Sequence, residues 1–127
     1  MATGDDRAGW ITTRYRPESR TVLVVAGGRL ERLNRPQLAA VLRAAVASGP
    51  SAVEVDIDRA TLIDPAIVRA LLDARDLAAE HGCRFRVLDP TGLPARILEA
   101  TGTRAALCDP SPSLSPSPSS SPFRMRR

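Results

Sequence analysis

The sequence predicts a small α/β domain with a largely parallel sheet, and three observations predict it. Strand-length runs of β-branched and aliphatic residues recur at residues 21–26, 53–57 and 84–88. Segments with helical spacing of apolar residues alternate with them, at residues 36–48 and 64–81. Aromatic residues make up only 3% of the chain against 43% hydrophobic residues, so the core between these layers must be aliphatic. Strands separated by helical patterns of this length imply βαβ crossovers, which are almost always right-handed.

Taken in order, residues 1–9 are polar and are expected to be flexible. Residues 10–15 (Trp-Ile-Thr-Thr-Arg-Tyr) have the β-branched and aromatic character of a short strand, and residues 17–20 make a turn. Residues 21–26 form a nearly continuous apolar run, as in a strand covered on both faces, and Gly27-Gly28 is expected to end it. Asn34 is placed to cap a helix with Pro36 in its first turn. Leu38, Val41, Leu42 and Ala45 fall at i, i+3, i+4 and i+7 on that helix, and Ser48-Gly49-Pro50 stops it.

The alternating residues 53–57 read as the next strand. Asp64-Pro65 opens the strongest helix, with a stripe of Ile67, Ala70, Leu71, Ala74 and Ala78, and His81-Gly82 closes it. His81 belongs there as a cation at a helix C-terminus. Residues 84–88 are a third clear strand, Pro94 opens a short helix ending at Gly102, and residues 105–108 form a last short element. From Asp109 the composition changes: residues 111–121 hold seven Ser, with Pro at 112, 116 and 118. Such a segment cannot bury a core, so residues 10–108 are read as the domain and 109–127 as a disordered tail.

The polar inventory excludes much chemistry. All 18 basic residues are Arg, so no lysine-dependent mechanism is available. One His and two Cys (Cys83 and Cys108) cannot assemble a four-ligand zinc site of these residues. Both Cys are read as small buried hydrophobes. Gly27-Gly28 lacks the remaining glycines of a dinucleotide fingerprint, and no Ser lies in a nucleophile-elbow setting. No catalytic residue, cofactor or metal is expected.

The net charge of +4 raises nucleic-acid binding, yet the arginines are scattered among 14 acidic residues without interleaved aromatics. No run reaches the roughly 20 apolar residues of a membrane span, and the N-terminus has no apolar signal region. A cytoplasmic protein without a membrane partner is expected.

One carboxylate group stands out. Asp56, Asp58 and Asp64 lie at the end of a strand and in the loop entering a helix, where open α/β sheets place their sites. Asp56 and Asp58, two apart on an extended strand, are expected to share a face, but two carboxylates make a weak Mg²⁺ site. Asp64 is explained by a helix cap with Pro65 at the first helical position.

Residues 20–108 together resemble the STAS domain of bacterial anti-sigma factor antagonists. In that family a hydrophobic strand runs into Gly-Glu-Leu-Asp, matched here by Gly28, Arg29, Leu30 and Glu31. A strand ending in Asp56 and a loop through Asp58 to Asp64 resemble the approach to the family's Asp-Ser-x-Gly. The Gly82–Leu88 segment resembles its third strand, and Ile97, Leu98, Thr101 and Gly102 its helix end.

The resemblance implies a mixed, mostly parallel sheet packed against about four helices, working as a binding module rather than an enzyme. Its expected partner is an anti-sigma factor with a histidine-kinase-like ATPase fold, or a related regulator of transcription. In the family that partner phosphorylates the Ser of the motif, which breaks the complex. The implied contact residues are Glu31, Asn34, Asp56, Asp58, Asp64, Pro65, Ala66 and Ile67. The chain departs from the pattern after Asp64: Pro65 stands at the phospho-acceptor position, Ala66 follows, and Ile67 replaces the glycine. The switch is therefore expected to be missing, with Ile67 obstructing a kinase. The alternatives are a STAS-like subunit of a larger sensory assembly, an arginine-driven nucleic-acid-binding protein, and a small enzyme or nucleotide-binding protein.

Overall fold

The computed structural model describes residues 8–108. The expectations for residues 1–7 and for the Ser/Pro tail lie outside the described residues.

The aliphatic runs form the strands that the sequence predicts, and a fifth appears between them. The order is β1 (Trp10–Arg16), β2 (Thr21–Leu30), a 3₁₀ turn (Arg32–Asn34), α1 (Arg35–Ala47), β3 (Ala52–Asp56), β4 (Ala60–Ile63), α2 (Pro65–Glu80), β5 (Arg84–Val87), α3 (Gly92–Ala100) and α4 (Arg104–Cys108). The sheet order is β1-β2-β3-β5, with β4 paired to the far end of β2. Only the β1–β2 hairpin is antiparallel; β2–β3, β2–β4 and β3–β5 are parallel.

Register sorts the side chains onto two faces. Val22, Val53 and Phe85 stand in one row across the parallel strands, and Val24, Val55 and Val87 in the next. All six are buried. Against them pack Leu38, Leu42, Ala45 and Val46 of α1 and Ile67, Ala70, Leu71, Ala74 and Ala78 of α2, with Leu98 and Leu107 closing the core. α2 buries the whole stripe its spacing predicts, while on α1 Leu38, Leu42 and Ala45 are buried, Val41 is half-buried and Val46 is buried in addition. The hairpin turn is held by Arg20, which adopts φ +51°, donates from Nη2 to the Gly49 carbonyl at 3.0 Å, and accepts at its own carbonyl from Ser51 N at 2.8 Å.

β2 does not end at Gly27-Gly28. A Cβ on Gly27 would lie 2.4 Å from the Trp10 ring, so the glycine makes room for the indole without breaking the strand. Gly28, at φ +74°, turns the strand out of register, and beyond it Arg29 and Leu30 pair with Leu62 and Ile63. β4 is the element that sequence periodicity missed. It has four residues, and its pairing with residues more than thirty positions away leaves no local trace.

Candidate functional site

The C-terminal ends of the parallel strands converge on one edge, where the family resemblance placed most of its contact residues. Glu31 follows β2, and the 3₁₀ turn after it is braced locally. Asn34 Oδ1 accepts from Glu31 N at 2.8 Å, while Asn34 N donates to the Glu31 carbonyl at 2.9 Å. Asn34 is therefore not a side-chain cap of α1; it already has helical angles (φ −83°, ψ −9°) and ties the preceding turn together. Glu31 also accepts from Arg29 Nε at 3.2 Å.

Asp64 meets the same edge from β4. Its N–H donates to the Leu30 carbonyl at 2.9 Å, which places the start of α2 beside the end of β2. Its Oδ1 accepts from Ala66 N at 2.8 Å, and its carbonyl accepts from Ile67 N at 2.8 Å. The cap expected at Asp64-Pro65 is thus formed. Pro65 is exposed and Ala66 half-buried. Ile67 is fully buried in the core, so it anchors the first turn of α2 from beneath and does not stand at the surface to obstruct an approaching protein.

Two residues that sequence reasoning missed complete this edge. Leu33, 75% exposed, and Leu62, 42% exposed, line a shallow depression with Glu31, Arg32 and Asp64. Leu33 sits in the 3₁₀ turn and Leu62 on the unforeseen β4, so neither falls in a periodic stripe that would signal it.

Asp56 and Asp58 do not share a strand face. β3 ends at Asp56, whose Oδ1 accepts from Asp58 N at 2.9 Å, so the chain turns between them. Asp58 Oδ1 then accepts from Thr91 N at 2.8 Å and Thr91 Oγ1 at 3.2 Å, tying the loop after β3 to the start of α3. Both carboxylates are used as turn acceptors, away from the Leu33–Leu62 depression.

His81 Nδ1 lies 3.0 Å from the Leu77 carbonyl at the end of α2. Cys83 is buried and Cys108 half-buried, and burial pushes both thiols above their ordinary pKa. They are correspondingly poor nucleophiles near neutral pH. Among the described residues no group of three His, Cys, Asp or Glu side chains could hold a metal ion. No helix among them is long and apolar enough to cross a membrane.

A family model described as "Mlab, STAS domain" matches residues 13–108. Among solved structures, the chain superposes on an anti-sigma factor antagonist from Mycobacterium paratuberculosis with a TM-score of 0.67 at 20% identity, covering 83% of this chain and 88% of that one. It is similar also to the anti-sigma factor antagonist SpoIIAA in its unphosphorylated form (TM-score 0.59, 16% identity, 71% of this chain and 82% of that one). The phosphorylated form of the Bacillus cell fate determinant SpoIIAA gives 0.59 at 17% identity, over 73% and 84%. No relative was found among curated protein sequences. The matched span runs from within β1 to the end of α4 and covers most of the chain, and on that ground the chain belongs to the STAS domain family.

Proposed function

We propose that the chain is a protein-binding regulator of the anti-sigma-factor-antagonist type, acting in the cytoplasm on transcription without a serine phosphorylation switch and without catalysis. The observation that carries this reading is the pair of exposed leucines, Leu33 and Leu62, set in a polar rim of Glu31, Arg32 and Asp64 at the N-terminus of α2. An apolar centre with a charged rim is the anatomy of a docking surface. The partner is an anti-sigma factor of histidine-kinase-like fold, or a related regulatory protein. Glu31, Asn34, Asp64, Pro65 and Ala66 meet it, Asp56 and Asp58 shape the neighbouring loop, and Ile67 holds the first turn of α2 in place. Because Pro65 has no hydroxyl, the complex is not dissolved by phosphate transfer at that position.

The test is isothermal titration of the full chain into a purified kinase-type anti-sigma factor, with Leu33→Asp and Leu62→Asp as variants. Central interface positions commonly carry about 2 kcal/mol or more each. Each variant is expected to weaken binding by more than tenfold while leaving the thermal transition in place. Unchanged affinity in both would overturn the assignment of this edge.

A further inference from the structure

The second face of the sheet is as ordered as the first but has a different chemistry. Register places Arg16, Thr21, Ala52 and Arg84 in one row across β1, β2, β3 and β5. Arg14, Leu23, Glu54 and Arg86 form the next row, and Thr12, Val25 and Asp56 a third. Side chains in such rows share a face. Arg14, Arg16 and Arg84 are exposed, and Leu23, Val25, Glu54, Asp56 and Arg86 are half-buried.

The rows form a trough. Arg16 stands on one wall, Arg84 and Arg86 on the other, with Thr21, Ala52 and Glu54 in a floor of small or flat-lying groups, enclosing about 450 Å³. A second depression of about 480 Å³ continues it past Arg14, Leu23, Val25, Asp56 and Arg59. β1 and β5 are three strand spacings apart, roughly 14 Å, which matches the ~10–12 Å diameter of an α-helix with its side chains. A sheet face with an aliphatic centre is ordinarily covered by a helix layer.

Charge decides what kind of helix. Five arginines (Arg14, Arg16, Arg59, Arg84, Arg86) face two carboxylates, and one of these, Glu54, is already paired with Arg86 at 3.6 Å. No carboxylate among the described residues lies within ion-pair distance of Arg14, Arg16 or Arg84. The three rows contain no aromatic side chain; Trp10, one row further along the same face, lines the second depression with its ring laid against Gly27, and Glu54 and Asp56 in the floor repel phosphates. We propose that this trough is a second docking surface, for an acidic amphipathic helix of a protein partner. The helix lays a small apolar stripe on Leu23 and Val25 and presents carboxylates to the arginine walls. The surface is separate from the Leu33–Leu62 edge, so two partner elements can be held at once.

The probe is a fluorescein-labelled 18-residue helical peptide with a leucine stripe flanked by glutamates. Its lysine-for-glutamate counterpart and a 20-nucleotide single-stranded DNA serve as comparisons, all read by anisotropy on the full chain. The acidic peptide is expected to bind at least tenfold more tightly than the basic one and to weaken as salt is raised. Arg16→Glu with Arg84→Glu should cut its affinity at least tenfold. Arg43→Glu on the exposed side of α1, and Leu33→Asp at the other edge, should leave it unchanged. Circular dichroism and thermal melting establish that the reversed variant is folded; Arg16→Gln with Arg84→Gln, which removes charge without repulsion, should show an intermediate loss. Equal binding of the two peptides, insensitivity to both Arg pairs, or tighter binding of the DNA would overturn the proposal. So would a tenfold gain on deleting residues 1–7, since the chain's own Asp5 and Asp6 would then be the occupant.

Discussion

Asp58 and Thr91, thirty-three positions apart, are joined by two hydrogen bonds to a single carboxylate oxygen, from Thr91 N at 2.8 Å and Thr91 Oγ1 at 3.2 Å. The pair fixes the start of α3, whose Leu98 is fully buried, to the loop that ends β3. Asp58→Ala leaves the Thr91 donors to solvent and removes this tie. The expected loss is about 1–2 kcal/mol in urea denaturation, in line with a charge-assisted hydrogen bond at an exposed site. Asp58→Asn retains an acceptor and should recover part of it. A loss below about 0.3 kcal/mol for the alanine variant would show that α3 is held by its apolar face alone.

The Gly27–Trp10 contact makes a sharper prediction about β2. The ring of Trp10 occupies the space where a side chain at 27 would begin, 2.4 Å from an added Cβ, and Arg59 Cβ lies 3.0 Å away on the same side. Gly27→Ala must push the indole aside or bend the strand. Overpacking of this kind costs about 1–3 kcal/mol. The same substitution in a Trp10→Ala background should cost markedly less, because the colliding ring is gone. Thermal melts of the four proteins give the coupling directly; strict additivity would rule out the contact as the reason for the glycine.

These two contacts also mark where the sequence stops being legible. The aliphatic rows and the stripes of α1 and α2 follow from spacing, and Leu71 and Val55 are fully buried where that spacing puts them. Gly27-Gly28 reads as a strand end because local sequence does not encode the Trp10 ring that needs the space. Spacing alone leaves β4 in a loop, because its partner, the end of β2, lies more than thirty residues upstream. From spacing Asp58 is half of a carboxylate pair on a strand, whereas in the fold the turn after Asp56 separates the two. At the docking edge, the Asp64 cap was readable from Asp-Pro. Leu33 and Leu62 were not, since an exposed leucine in a turn or on a four-residue strand has no pattern to set it apart from a buried one.

The last prediction concerns position 65. The first turn of α2 is already saturated: Asp64 supplies Oδ1 to Ala66 N and its carbonyl to Ile67 N, and Pro65 contributes no N–H. A phosphate there would be drawn by the positive end of the helix and opposed by the Asp64 carboxylate beside it. Pro65→Ser restores a hydroxyl on an exposed residue, at a folding cost of about 0.4–1 kcal/mol from the freer unfolded chain. Ile67 need not be changed. It is buried, and Ile67→Gly would cost about 2–5 kcal/mol from the cavity alone and unfold the turn being tested. Incubation with a kinase-type anti-sigma factor and labelled ATP should therefore leave the natural chain and a Pro65→Ala control unlabelled, and label Pro65→Ser. Within residues 61–67 the natural chain has one hydroxyl, Thr61, which is exposed at the register shift between β2 and β4. Label on Thr61 in the natural chain would show that the switch has moved by four positions instead of being lost, and would sink the proposal that the complex works without a phosphorylation switch.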